Sequence, residues 1–268
     1  MKVGWIGLGS VGTEMAVRIL AAGHELTAYS RGSGQDKVVA AGASLCPDYV
    51  ALASDCELLG VCVFNDTQLE EALLQSGALA SLSNGSVLAV HTTGSPKLAR
   101  ALADHAPQGV ETLDACFSGG PKEAARGEIT LMIGGSKRGL DRATEVLSAY
   151  ASHRFHVGAA GAGQTAKLLN NLLFATNLRF AAEIMKLADG QGLDTAQLAQ
   201  VCQHSSGASM AMGMFQSGRS PDDVLLNVAK YMEKDVAAAK GAAASLDLDF
   251  SRFQPILDFF TKRDATVS

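Results

Sequence analysis

The sequence predicts an α/β protein: a doubly wound sheet over residues 1–158, then an all-helical domain over 159–268 entered through one long helix. Three observations carry that expectation. Short apolar segments alternate with helical patterns as far as Val157, as strands and helices do around a parallel sheet. A glycine-rich turn stands between the first strand and the first helix. After Gly158 the strand signals stop and only helical periodicity remains, which puts a domain boundary near that residue.

Val3-Gly-Trp-Ile6 reads as the first strand, and Met15, Ala16, Ile19 and Leu20 as the inner face of a helix ending at Gly23. Between them lies Gly7-Leu8-Gly9-Ser10-Val11-Gly12. A lone G-x-G-x-x-G is weak, but between strand and helix it is the dinucleotide fingerprint of a Rossmann-like fold. Gly7 would allow the tight turn, Gly9 the approach of a pyrophosphate, and Gly12 the packing of helix on strand. The helix N-terminus would then offer free N–H groups to the phosphates. The second strand, Glu25–Tyr29, ends in Ser30-Arg31-Gly32. No acidic residue lies between Leu26 and Gln35 to meet a ribose 2′-hydroxyl, whereas Arg31 with Ser30 suits a 2′-phosphate. The cofactor expected is NADP rather than NAD.

Further strands are expected at Leu58–Phe64, Val87–Val90, Val110–Ala115, Ile129–Ile133 and Arg154–Val157. Helices are expected at Thr67–Gln75, from Pro96 through Ala103, and at Leu140–Tyr150. Ligands of such a sheet sit beyond the carboxyl ends of its strands. The candidate contacts there are Phe64-Asn65, Thr92-Thr93 and Ser118-Gly119-Gly120. Successive glycines after Ser118 would let backbone N–H groups converge on an anion, although a plain strand-to-helix turn would also explain them.

The helical half opens on Gly161-Ala-Gly163-Gln-Thr-Ala-Lys167-Leu-Leu-Asn170-Asn171, and its first helix runs to about Asp189. Apolar residues fall on nearly every face, as in a helix set in an interior or between subunits. At about 100° per residue, Lys167, Asn170, Asn171 and Phe174 share a stripe. A lysine is rarely buried without a partner, so this stripe is either the helix's wet face or a site. Thr195–Cys202, Val224–Ala239 and Phe253–Phe260 read as further helices, with a polar loop at His204-Ser-Ser-Gly207.

Composition narrows the function. Hydrophobic residues make up 47% and charged residues 18%, with a net charge of −5 and no basic cluster, which argues against nucleic acid or an anionic membrane as partner. No apolar run reaches the ~18 residues of a membrane span. Five cysteines (46, 56, 62, 116 and 202) without C-x-x-C spacing, and six scattered histidines, point to reduced thiols in a cytoplasmic protein. They argue against a disulfide frame or a metal site. Cys116 reads as a small wall or core residue, since no base is identifiable for it.

Four blocks in order, Gly7-Leu-Gly9-Ser-Val-Gly12, Asp114-Ala-Cys-Phe-Ser118-Gly119-Gly120-Pro, Gly163-Gln-Thr-Ala-Lys167-Leu-Leu-Asn170-Asn171 and Lys234-Asp235-Val, resemble the β-hydroxyacid dehydrogenase family along essentially the whole chain. The resemblance implies a catalytic Lys167, with Asn171 holding the substrate beside it. It implies that Ser118, Gly119 and Gly120 grip a substrate carboxylate. Phe64, Asn65, Thr93 and Lys234 would be cofactor contacts, and a homodimer or homotetramer would form through the helical domain. The chain departs from the family at His91-Thr92, Cys116-Phe117, Lys122-Glu123 and Asn65. His91 is expected to add a titratable group near the nicotinamide.

The chemistry expected is hydride transfer between NADP(H) and a small 3-hydroxy acid or its semialdehyde. An ammonium can stabilise charge on the carbonyl oxygen and donate the proton; the neutral amine removes it in the other direction. Apolar surroundings favour the neutral amine. Imine reduction is the competing enzymatic reading, in relatives that usually carry Asp or Tyr in the lysine's place. A non-catalytic NADP-binding scaffold is the third.

Overall fold

A computed structural model describes residues 1–29, 34–229 and 249–261. The chain opens with β1 (Lys2–Ile6), α1 (Ser10–Ala21), β2 (Glu25–Tyr29), α2 (Gln35–Ala40), β3 (Ser44–Leu45), α3 (Tyr49–Ser54) and β4 (Leu58–Val61). It continues through α4 (Asp66–Glu70), a wide helical turn at Glu71–Gln75, α5 (Ala78–Ser81), β5 (Val87–Val90) and α6 (Pro96–His105). β6 (Glu111–Ser118), α7 (Pro121–Arg126), β7 (Ile129–Gly135), α8 (Lys137–Ser148) and β8 (Ala151–Gly158) complete the mixed part. The helical part holds α9 (Ala162–Gly190), α10 (Thr195–Gln203), α11 (Met210–Gly213), α12 (described over 221–229) and α13 (Gln254–Thr261). By its internal contacts the chain divides into two compact units, Met1–Lys167 and Leu168–Ser268.

In the first unit, eight strands form one sheet in the order β3-β2-β1-β4-β5-β6-β7-β8. The order reverses at β1/β4, the place where a doubly wound sheet binds its ligands, beyond the carboxyl ends of the strands. Neighbours are parallel except β6 and β7, which run antiparallel. The central strands are apolar throughout because both faces are covered. Alternate residues therefore join different cores. Trp5, Leu58, Val87 and Ala89 pack on one face with Met15 and Ile19 of α1. Ile6, Leu59, Val61, Leu88 and Val90 pack on the other with Leu98 and Leu102 of α6. Each of the Leu, Ile, Val and Met side chains among them contributes roughly 1.5–3 kcal/mol by leaving water.

The sheet differs from the sequence reading at its margins. β4 stops at Val61 rather than Phe64: the Cys62 N–H still donates to the Ile6 carbonyl at 2.8 Å, but the N–H groups beyond it leave the ladder. Val63 donates to Thr92 Oγ1 (3.1 Å) and Phe64 to Gln68 Oε1 (3.0 Å). β6 and β8 are longer than expected, and α2, β3, α3, α5 and α7 were not expected at all. These are six residues or fewer, too short to show a period.

In the second unit, Leu172, Ala175, Leu178, Ala182 and Met185 of α9 bury against Ala199, Phe215, Leu225 and Leu257. Another side of α9 is apolar yet exposed: Leu169, Leu173, Phe180, Ile184 and Leu187. At 100° per residue these five lie within about 60° of one another, a single narrow stripe. No described helix is long and apolar enough to cross a membrane.

Candidate active site

The glycine turn after β1 has three glycines with three different reasons. Gly7 has φ +99°, and a Cβ there would stand 2.2 Å from the Cys62 carbonyl oxygen. A Cβ on Gly12 would stand 2.3 Å from the Gly7 carbonyl oxygen, so only glycine lets α1 approach the turn. Around Gly9 nothing lies within 4 Å: the space beside its backbone is open. Gly9 also begins α1, and no side chain caps that end. An open backbone edge at an uncapped helix N-terminus fits a dinucleotide pyrophosphate. Leu8 is buried beneath the turn, while Ser10 is exposed and Val11 half-buried beside it. Gly34, which the sequence reading passed over, packs on the same turn; its Cβ would meet Thr13 Oγ1 at 2.3 Å and the Leu8 carbonyl at 2.5 Å.

Beyond β4, Phe64 is exposed and Asn65 caps α4, accepting from the Gln68 N–H at 3.0 Å. Beyond β5, the half-buried Thr93 lies between two residues held from the next structural layer. The Thr92 carbonyl accepts from Gln164 Nε2 (2.7 Å), and the Gly94 N–H donates to Gln164 Oε1 (2.8 Å). A side chain on Gly94 would collide with Asp66, whose Oδ2 also accepts from the Ser95 N–H at 2.9 Å.

Gln164 belongs to the first turn of α9, and that turn is fastened to β6. Asp114 Oδ1 accepts from the Gly161 N–H (2.9 Å) and Oδ2 from the Gln164 N–H (2.8 Å). A helix N-terminus presents unpaired donors and positive potential, which a carboxylate satisfies. Burial pushes the Asp114 carboxyl above its usual range, and these backbone donors pull against that rise. The approach is close enough to demand glycine. A Cβ on Gly163 would lie 2.2 Å from the Asp114 carbonyl oxygen and 2.6 Å from that of Met132.

Lys167 follows one turn later and is buried, with 9% of its surface exposed; Asn171 is at 6%. Asn170 is on the exposed side, its amide 3.4 Å from Asn171 Oδ1. The stripe read from the sequence therefore splits into a buried pair and a wet asparagine. Ser118 ends β6, Gly119 takes φ +123°, and Gly120 begins α7. The Gly120 N–H is engaged by the chain itself, donating to Glu123 Oε2 at 2.7 Å. That N–H, with Arg126 beside it, holds the Glu123 carboxyl below its usual range. Cys116 is fully buried and lies within the sheet.

His91 is corrected by the structure. It is fully buried on the face of the sheet that packs against α1, stacked on Trp5 with centroids 5.5 Å apart. Its Nδ1 is 2.7 Å from the Ala115 carbonyl and its Nε2 is 3.0 Å from the Tyr150 hydroxyl. A carbonyl only accepts, so Nδ1 carries the proton and Tyr150 donates to Nε2. Burial lowers the imidazole pKa to about 4, leaving a neutral core group. Ser30, Arg31 and Lys234 lie outside the described residues.

Comparison with known proteins adds to this geometry. Residues 2–158 match the family model described as the NAD binding domain of 6-phosphogluconate dehydrogenase. Residues 161–260 match that described as NAD-binding of NADP-dependent 3-hydroxyisobutyrate dehydrogenase. The chain belongs to the β-hydroxyacid dehydrogenase family. Among the β-hydroxyacid dehydrogenases, an NAD-dependent L-serine dehydrogenase of Pseudomonas aeruginosa is 32% identical over 254 residues, 90% of this chain and 85% of that one. An L-threonate dehydrogenase of Cupriavidus necator is 36% identical over 212 residues, 78% of this chain and 71% of that one. The solved structure of Mycobacterium tuberculosis 3-hydroxyisobutyrate dehydrogenase with L-serine has a TM-score of 0.88 at 25% identity, covering 99% of this chain and 94% of that one. This β-hydroxyacid dehydrogenase is thus an oxidoreductase with an NAD(P)-binding domain.

Asp114 and Gln164 had no role in the sequence reading. A signal existed for the first: a lone acid between Leu113 and Ala115, in an apolar strand, needs a buried partner.

Proposed function

We propose that the protein is an NADP(H)-preferring dehydrogenase of a small 3-hydroxy acid, or reductase of its semialdehyde, with Lys167 as general acid and base. The observation that carries this is the burial of Lys167 one helical turn after a segment fastened to both β6 and the turn around Thr93. A nicotinamide dinucleotide, when bound, supplies or accepts the hydride. The open edge at Gly9 and the N-terminus of α1 would hold its pyrophosphate, with Leu8, Ser10 and Val11 completing the turn. Phe64, Asn65, Thr93 and Lys234 are the further contacts proposed.

In oxidation, neutral Lys167 Nζ removes the proton from the substrate hydroxyl; in reduction, the ammonium returns it to the carbonyl oxygen. Asn171, one turn on, hydrogen-bonds substrate or lysine without adding charge. Ser118, Gly119 and Gly120 would take the substrate carboxylate. Of these donors the Gly120 N–H is held by Glu123, so taking the substrate carboxylate there requires Glu123 to release it. The two lobes proposed are 1–158 for the cofactor and 159–268 for substrate and assembly.

Turnover with L-serine, L-threonate and 3-hydroxyisobutyrate, beside glyoxylate, semialdehydes and cyclic imines, tests the class of reaction. Lys167→Ala should lower kcat by about 10²–10⁴-fold, the range of a general acid or base. NADPH affinity should stay within a few-fold. Undiminished kcat, or activity on imines alone, overturns the reading. Preference for NADP rests on Ser30 and Arg31, so Arg31→Ala should weaken NADPH far more than NADH; equal loss removes that preference.

A further inference from the structure

Gln164 joins two parts of the proposed site that are far apart in sequence. Its side-chain amide meets the two peptide groups flanking Thr93, the Thr92 carbonyl at 2.7 Å and the Gly94 N–H at 2.8 Å. One donor and one acceptor, set side by side, pair with one acceptor and one donor, as a neighbouring strand would. Its own backbone N–H is held by Asp114. Lys167 stands three residues further along the same helix, about 60° short of a full turn.

We propose that Gln164 is a positioning residue that sets Lys167 at a fixed place relative to the turn carrying Thr93. This rests on the roles of Lys167 and Thr93 argued above. Gln164 is 2% exposed, so water does not replace either bond. The geometry specifies glutamine. Asparagine is one methylene short, and an ionised glutamate would set a second acceptor against the Thr92 carbonyl. A protonated glutamate restores both bonds, because its hydroxyl donates and its carbonyl oxygen accepts. The charged and titratable groups around it are Asp114 on its backbone N–H, the Cys116 thiol, which donates to the same Thr92 carbonyl at 3.9 Å, Asp66 on Ser95, Arg100 beside Gly161, and the neutral, fully buried His91 next to Thr92.

The test compares Gln164→Glu, Gln164→Met and Lys167→Ala with the wild-type protein, using the fastest substrate from the panel above. At pH 8, Gln164→Glu should lose kcat by about thirty-fold or more while the substrate KM stays within three-fold. Its kcat should recover toward wild type as the pH falls to 6, whereas Gln164→Met should stay impaired at every pH. Without cofactor, the thermal midpoint of Gln164→Glu should rise relative to wild type over the same fall in pH. A buried carboxyl facing a carbonyl titrates above its unfolded value, so stability is gained as it protonates.

By fluorescence titration, NADPH should bind Gln164→Met at least five-fold more weakly, and the 2′-phosphate of ADP-ribose within two-fold of wild type. Wild-type kcat in both Gln164 variants, a loss confined to KM, or a pH-independent defect in Gln164→Glu overturns the proposal. So does failure of both variants to fold, which would make Gln164 a packing residue only. If Lys167→Ala keeps full turnover, the reading of the site fails first and this proposal with it. Loss of activity in Lys167→Ala beside a wild-type profile in Gln164→Glu sinks the positioning role alone.

Discussion

The indole of Trp5 lies against the imidazole of His91, planes 26° from parallel, and donates from Nε1 to the Gly7 carbonyl at 3.1 Å. The Tyr150 ring meets both edge-on. A buried, hydrogen-bonded aromatic group thus supports the glycine turn from below. Gly60 makes room for it, since a Cβ there would lie 2.4 Å from the Trp5 ring.

Acid should expose this group's cost. Folded His91 stays neutral down to about pH 4, whereas the unfolded imidazole binds a proton near 6.5. Between those values the unfolded chain holds more protons, so stability rises with pH and is lost on acidification. The loss amounts to roughly 3 kcal/mol by pH 4, at ~1.4 kcal/mol per unit. Asp114 has the opposite sign: its raised carboxyl pKa favours the folded state as pH falls. Comparing His91→Met with wild type isolates the histidine. The difference in thermal midpoint should shrink steadily from pH 7 to pH 4; a constant difference would show that His91 does not titrate on unfolding.

Gly9 and Gly163 should separate binding from folding. Gly9→Ala adds a methyl to open space, so the thermal midpoint should stay within about two degrees of wild type. Cofactor affinity should fall at least ten-fold, because that methyl fills the approach to the backbone. Gly163→Ala drives a methyl into two backbone oxygens, and overpacking of this kind costs about 1–3 kcal/mol. It should unfold earlier with or without cofactor. Equal thermal losses in the two variants would refute this division.

In the proposed dimer or tetramer, a second copy of this chain would cover the exposed stripe on α9. Five large apolar side chains in a row are more than scattered surface exposure. Leu173→Glu with Phe180→Glu should shift sedimentation from oligomer to monomer at micromolar concentration. A wild-type protein that sediments as a monomer removes this interface.

What the sequence revealed was what depends on near neighbours. The glycine spacing could be read because turn, phosphate approach and helix packing all fall within six residues. Lys167 stood out because its own helix is apolar. Asp114 and Gln164 pair across 50 residues, and Gln164 reaches Thr92 across 72, distances that local pattern does not encode. His91 was read by its nearness to Thr93 along the chain. Two-residue alternation sends it instead to the face of Val87 and Ala89, against Trp5. The short helices α2, α3, α5 and α7 are set by the sheet they bridge, not by their own periodicity.

The reversal of β7 has one more consequence. Because β7 and β8 run back along β6, Gly158 finishes level with Gly134 and Asp114, and the chain has only three residues before α9 begins. That stretch acts as a phase setting. Inserting a single residue between Gln164 and Lys167 would swing the amine about 100° around the helix axis. Insertions in distant surface turns leave its bearing untouched, so indels should be tolerated in those turns sooner than here.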